Sequence, residues 1–217
     1  MKFIAHRGYS LECQDNSLQA IKDAIWRKYY GVEIDIQLCK TGEIVLFHDI
    51  YVNNSFISEL TASELKDLGI ITLRDVYLEV PEINNTRIFL DIKGNDTSII
   101  KKLEEFYTQR DRSNVYFCSF NRQLLRLLDT RFKKGSTFET IFNPDELDKI
   151  TDGMSVVFVH WTCLCYSLIE HCKKAGVEVF TYTHKDRMEL KYMMKFDIDG
   201  IITNGIHHVN VRERKLN

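Results

Sequence analysis

Gly31-Val-Glu-Ile-Asp-Ile-Gln-Leu-Cys-Lys-Thr-Gly-Glu-Ile-Val-Leu-Phe-His48 holds two strand-like runs joined by a turn. Side chains alternate faces along a strand, so Glu33 and Asp35 project to one side and Ile34 and Ile36 to the other. The connection Lys40-Thr41-Gly42 is short and contains glycine, and the run from Glu43 to His48 begins at once, which predicts an antiparallel hairpin. Folding the runs about Thr41 sets His48 roughly across from Ile34, beside both carboxylates.

Further strand-like runs lie at Lys2 to Ala5, Arg87 to Ile92, Val115 to Ser119, Gly135 to Thr140, Val156 to His160, Val177 to Thr183 and Gly200 to Thr203. Helical patterns separate most of them. Leu18, Ile21 and Ile25 share a face after the cap candidates Asp15 and Asn16, and Ile99, Leu103 and Phe106 do so after Asp96 or Thr97. Leu124, Leu127 and Leu128 follow Asn121, and Leu168 with Cys172, then Leu190, Met193 and Met194, continue the alternation. The order predicts an α/β fold, a (β/α)₈ barrel of one domain over 1–217, with the His48 strand as an added arm. Residues from about 50 to 86 then form a small insertion after the second strand, with a helix at Ala62 to Leu68. Pro81 and Pro144 are expected in loops.

Barrel enzymes carry their chemistry at the C-terminal ends of strands, and His6, Arg7, Glu33, Asp35, Asp91 and Lys93 lie at or near such ends. Two carboxylates on one face suit a hard divalent cation. Arginine and lysine suit phosphate oxygens, and a pair of histidines can divide acid and base work. Together they suit the cleavage of a phosphodiester.

These residues resemble the glycerophosphodiester phosphodiesterase family, whose members carry an HRG near the N-terminus, an ExD, an HD and a later acidic-x-Lys pair. The matching residues here are His6-Arg7-Gly8, Glu33-Ile34-Asp35, His48-Asp49 and Asp91-Ile92-Lys93. Gln14-Asp15-Asn16-Ser17 resembles the family's Pro-Glu-Asn-Thr, and Ile71-Thr-Leu-Arg-Asp-Val76 its Ile-Pro-Thr-Leu segment. Ser119-Phe120 and Asp199-Gly-Ile-Ile-Thr-Asn204 resemble two further family segments, so the likeness covers nearly the whole chain. It implies one Mg²⁺ or Ca²⁺ on Glu33, Asp35 and Asp91, phosphate contacts from Arg7 and Lys93, and acid–base catalysis by His6 and His48. It also implies attack by the substrate's own glycerol hydroxyl, giving a cyclic phosphate that water opens to glycerol 3-phosphate.

Four positions depart from the family pattern. Asp91 and Asp15 stand for Glu, Asn204 for Asp, and Tyr182 for an aromatic that is often Trp. An Asp at the third ligand position is also a feature of sphingomyelinase D type phospholipases, so a phospholipase D type activity on lysophospholipid or sphingomyelin is the alternative. A catalytically weakened phosphate-binding barrel is the other. Phe120, Trp161 and Tyr182, at strand ends, are candidates to face a choline or other alcohol head group. His160, His171 and His184 read as structural and His207-His208 as an exposed tail.

Composition narrows the remaining classes. A net charge of -2 without a long basic run gives no nucleic-acid footprint, and no stretch has the length of a membrane span. The first strand reaches His6 without room for a signal peptide, which predicts a cytoplasmic enzyme of a small-molecule glycerophosphodiester, its oligomeric state open. The six cysteines lack zinc-site spacing and are expected reduced and mostly in the core.

Overall fold

A computed structural model describes residues 1–205 and shows eight parallel strands closed into a barrel, with helices around the outside. In chain order the strands are β1 (Lys2–Ala5), β2 (Gly31–Leu38), β3 (Ile44–Leu46), β4 (Tyr51–Val52), β5 (Ser55–Phe56) and β6 (Ile88–Ile92). They continue with β7 (Val115–Ser119), β8 (Lys133–Phe138), β9 (Val156–His160), β10 (Glu178–His184) and β11 (Gly200–Thr203). The ring closes because β1 pairs with both β2 and β11, while β3 runs antiparallel on the outer edge of β2. Every predicted barrel strand is present.

The helices are α1 (Leu18–Trp26), α2 (Ala62–Asp67), α3 (Leu73–Glu79), α4 (Ser98–Tyr107), α5 (Arg122–Leu127), α6 (Leu147–Thr151), α7 (Tyr166–Ala175) and α8 (Arg187–Met193). Their apolar faces pack on outward-facing strand residues. Ile21, Val76, Ile99 and Leu124 join Val32, Ile34, Leu90 and Phe117 in one cluster. Leu168, Cys172, Leu190 and Met193 join Val157, Val179 and Ile201 in another. The barrel interior is filled separately by Ile4, Phe89, Cys118, Phe158, Phe180 and Ile202. Glycine makes room for the rings: a Cβ at Gly31 would meet Phe89 at 2.8 Å, and one at Gly200 would meet Phe180 at 2.6 Å.

Several local expectations change. Ser17 caps α1 by accepting from the Ala20 N–H, so neither Asp15 nor Asn16 does. Leu127 and Met194 are exposed, and Leu125 takes the buried place on α5. Pro81 and Pro144 each open a 3₁₀ turn, where a missing N–H costs nothing.

Segment 50–86 is more than a surface excursion. After the β4–β5 ribbon and α2, helix α3 buries Leu73 and Val76 in the main core, filling the place of the crossover helix between β2 and β6. A capping box between Thr72 and Asp75 starts it. The Leu46 N–H donates to Ile71 C=O at 2.9 Å, so this segment also covers the edge of β3. All six cysteines are free thiols; Cys39, Cys118 and Cys172 are buried and the other three half-buried. His207 and His208 lie outside the described residues.

Candidate active site

The cleft at the C-terminal mouth of the barrel has a volume of about 600 Å³ and takes in His6, Arg7, Glu33, Asp35, His48, Asp91, Lys93, Phe120, Trp161 and Tyr182. Every site residue singled out from the sequence lines it. Strand register explains the convergence. Ala5 pairs with Val32, so His6 follows alongside Glu33, and Asp35 pairs directly with Asp91. The hairpin pairs Ile36 with Leu46, and continuing that register by two residues sets His48 across from Ile34, as the turn reading requires.

Glu33, Asp35 and Asp91 each offer a carboxylate oxygen within 4.8 Å of the others, and all three are buried. Lys93 Nζ stands 2.8 Å from Asp35 Oδ1 and 2.5 Å from Asp91 Oδ2. Arg7, at φ 58, turns its backbone N–H to Glu33 Oε2 at 2.9 Å. Its Nη1 donates to Asp15 Oδ2 at 2.9 Å, while Nε lies 3.1 Å from Asp35 Oδ2 without hydrogen-bond alignment. Burial and the neighbouring Asp35 and Asp91 charges push the Glu33 carboxyl well above its usual range. Burial opposes the charge on Asp35 as well, but Lys93 and Arg7 outweigh it and hold that carboxyl low. Asp91 is raised by burial against the pull of Lys93, and its Oδ1 is buried without a hydrogen-bond partner among the described residues. On Lys93 the three carboxylates outweigh burial and hold the ammonium charged.

The histidines differ in environment. His6 is half-buried, and desolvation followed by the Arg7 charge lowers it to about 4. Its Nδ1 meets Asn204 Oδ1 at 2.5 Å, so the proton of the neutral ring sits on Nδ1 and Nε2 keeps its lone pair. His48 is half exposed, its Nδ1 2.7 Å from Asp49 Oδ1.

Sequence reading missed several partners. Asn16, at φ 56 and buried, donates from Nδ2 to Asp35 Oδ2 at 2.8 Å and accepts the Asp35 N–H at 3.0 Å. The signal available in the sequence was the place of Asn16 in the Gln14-Asp15-Asn16-Ser17 segment that resembles the family's Pro-Glu-Asn-Thr. Across the cleft, Glu139 and His160 join Tyr182, whose hydroxyl donates to Phe138 C=O at 3.1 Å and lies 3.5 Å from Glu139 Oε1. Burial, then the Glu139 charge, raises the Tyr182 hydroxyl. His184 is buried with Nδ1 2.7 Å from Thr203 Oγ1, and His171 Nε2 meets Thr151 Oγ1 at 3.0 Å, both structural as expected.

The model of the glycerophosphoryl diester phosphodiesterase family matches residues 6–208. A glycerophosphodiester phosphodiesterase from Caldanaerobacter subterraneus is 27% identical, covering 93% of each chain. Mouse glycerophosphodiester phosphodiesterase 1 is 29% identical over 91% of this chain and 69% of its own. The crystal structure of the Thermotoga maritima glycerophosphodiester phosphodiesterase superposes with a TM-score of 0.78 at 27% identity, covering 93% of each chain.

Proposed function

Because the chain belongs to the glycerophosphoryl diester phosphodiesterase family, we propose that it hydrolyses glycerophosphodiesters to an alcohol and glycerol 3-phosphate. The carrying observation is the meeting, in one cleft, of a buried acidic triad, a charged Lys93 and a neutral, half-buried His6.

The triad fits a hard cation: its donors are all oxygens, they converge, and Asp91 Oδ1 has no hydrogen-bond partner among the described residues. Mg²⁺ or Ca²⁺ bound there by Glu33, Asp35 and Asp91 would offset the charge that develops at phosphorus. Lys93 and Arg7 hold the carboxylates in place and present positive charge to the nonbridging phosphate oxygens. His6, kept neutral, accepts the proton of the attacking hydroxyl at Nε2, and Asn204 fixes the tautomer this needs. His48, beside Asp49 and half exposed, donates a proton to the leaving alkoxide. The sequence left this division of labour open; the more enclosed, desolvated ring of His6 and the exposed ring of His48 argue for it.

Phosphorus NMR with glycerophosphocholine tests the reading: glycerol phosphate should appear, and chelator should stop it. His6→Ala and His48→Ala should each lower turnover by roughly 10²–10⁴-fold with the circular dichroism spectrum unchanged. Near-normal turnover in either variant would sink the pair.

A second reading is favoured by one observation. Ile50, Tyr51 and Phe56, directly after His48, are exposed large apolar side chains, of the kind an acyl chain covers. Product from lysophosphatidylcholine, and none from glycerophosphocholine, would move the protein to phospholipase D type chemistry. Cation binding in a calorimeter without turnover of either would leave a phosphate-binding barrel.

A further inference from the structure

We propose that the lobe of the cleft formed by β7 to β10 binds a cationic alkylammonium head group, so that choline-type diesters are preferred over uncharged ones. The proposal rests on the phosphodiesterase reading and concerns the other side of the same barrel. The strand order places β8 and β9 opposite β2, so the lobe lies across the cleft from the carboxylates that hold the phosphate end.

Four aromatic rings line that lobe, with the Glu139 carboxylate beside them. Phe120 and Tyr182 meet edge to face with centroids 6.1 Å apart. The His160 ring stands 5.6 Å from Tyr182 and 5.7 Å from Trp161, so the rings form a continuous wall. Phe120 is about half exposed, at 51%, and lines the cleft. Glu139 stands at the edge of the wall, held near the Tyr182 hydroxyl. Lys185 and Glu189 also face the cleft, and their opposite charges offset each other. Among the described residues Glu139 makes no ion pair, which leaves it as the lobe's net charge.

A quaternary ammonium has no N–H to donate. It is recognised by ring faces, which carry negative quadrupole density, and by a nearby carboxylate, and this lobe offers both. A glycerol or inositol head group carries no charge for the ring faces and Glu139 to recognise, which makes uncharged diesters the comparison.

The experiment compares kcat/KM for glycerophosphocholine and glycerophosphoglycerol with the cation-loaded full chain. The expected ratio is on the order of ten, and Glu139→Gln and Phe120→Ala should each bring it toward one. A wild-type ratio near one with both substrates cleaved overturns the proposal and leaves the phosphodiesterase reading intact. Cleavage of neither substrate defeats that reading, and the lobe is then tested by binding alone. Choline chloride titrated into His48→Ala should change the Trp161 fluorescence, read against a Trp26→Phe background, and Glu139→Gln should remove the change. No response to choline would overturn the proposal there too.

Discussion

His6 shows how one side chain links folding to chemistry. A free imidazole titrates near 6.5, but in the fold burial and Arg7 lower it to about 4. Between those values the unfolded chain binds the extra proton and the native one refuses it, so stability is complete above pH 6.5 and falls on acidification toward pH 4. The shift corresponds to roughly 3 kcal/mol, about 2 of it spent by pH 5. Glu33 works in the opposite sense, because its raised carboxyl takes up a proton in the native state. The comparison that isolates the imidazole is urea unfolding of the cation-free protein at pH 7.5 and pH 5, wild type against His6→Gln. The variant should lose about 2 kcal/mol less across that interval, and an equal loss would mean that His6 is not held neutral. Residues of this kind were legible from the sequence where strand alternation and chain order fix them, as for Glu33, Asp35 and Asp91. Asn16 was not, because its role depends on a left-handed turn that frees Ser17 to cap α1 and points Asn16 at Asp35.

The β2–β3 hairpin carries the next level of the argument. Its register was legible because a short turn leaves few ways to pair two runs, and it brings His48 to the carboxylates without any long-range contact. What the sequence hid was the support: the edge of β3 is held by Ile71 and Thr72, and α3 anchors that segment in the core. Its seven residues are too few to show a clear apolar period, so the segment reads as insertion until its capping box and packing are seen. The turn itself depends on Gly42, at φ +85, where a side chain is strained. Gly42→Val should therefore cost about 1–2 kcal/mol in urea unfolding and also lower turnover, because the hairpin must shift the strand that presents His48. Thr72→Ala removes the α3 cap and should cost about 1 kcal/mol while turnover at 25 °C holds. Equal effects of the two variants on turnover would show that the hairpin register is not what places His48.

At the scale of the molecule, the barrel concentrates charge that the chain as a whole does not show. The net charge is only -2, yet closure packs Glu33, Asp35 and Asp91 together above an interior of Phe89, Phe158 and Phe180. Most of the eight strands could be read from sequence because they are short apolar runs; β8, Lys133–Phe138, has only one large apolar side chain. Their closure also needs glycines at Gly31 and Gly200 to admit the rings, a requirement that belongs to facing strands and not to any one segment. Lys93 and Arg7 offset part of the repulsion among the carboxylates, and Glu33 answers the rest by its raised carboxyl. The cation-free barrel is therefore less stable than its packing allows, and a bound cation should restore the difference. Saturation at a hundred times Kd corresponds to about 2.7 kcal/mol, or about 5–10 °C in Tm for a chain of this size. Glu33→Gln should change both: it removes the carboxyl whose ionisation burial, Asp35 and Asp91 oppose, so the variant melts above the wild type in chelator, and it removes a ligand, so added Mg²⁺ or Ca²⁺ no longer moves its Tm. A wild-type Tm that ignores both cations, or a Glu33→Gln variant that still responds to them, would show that the triad is not where the cation binds.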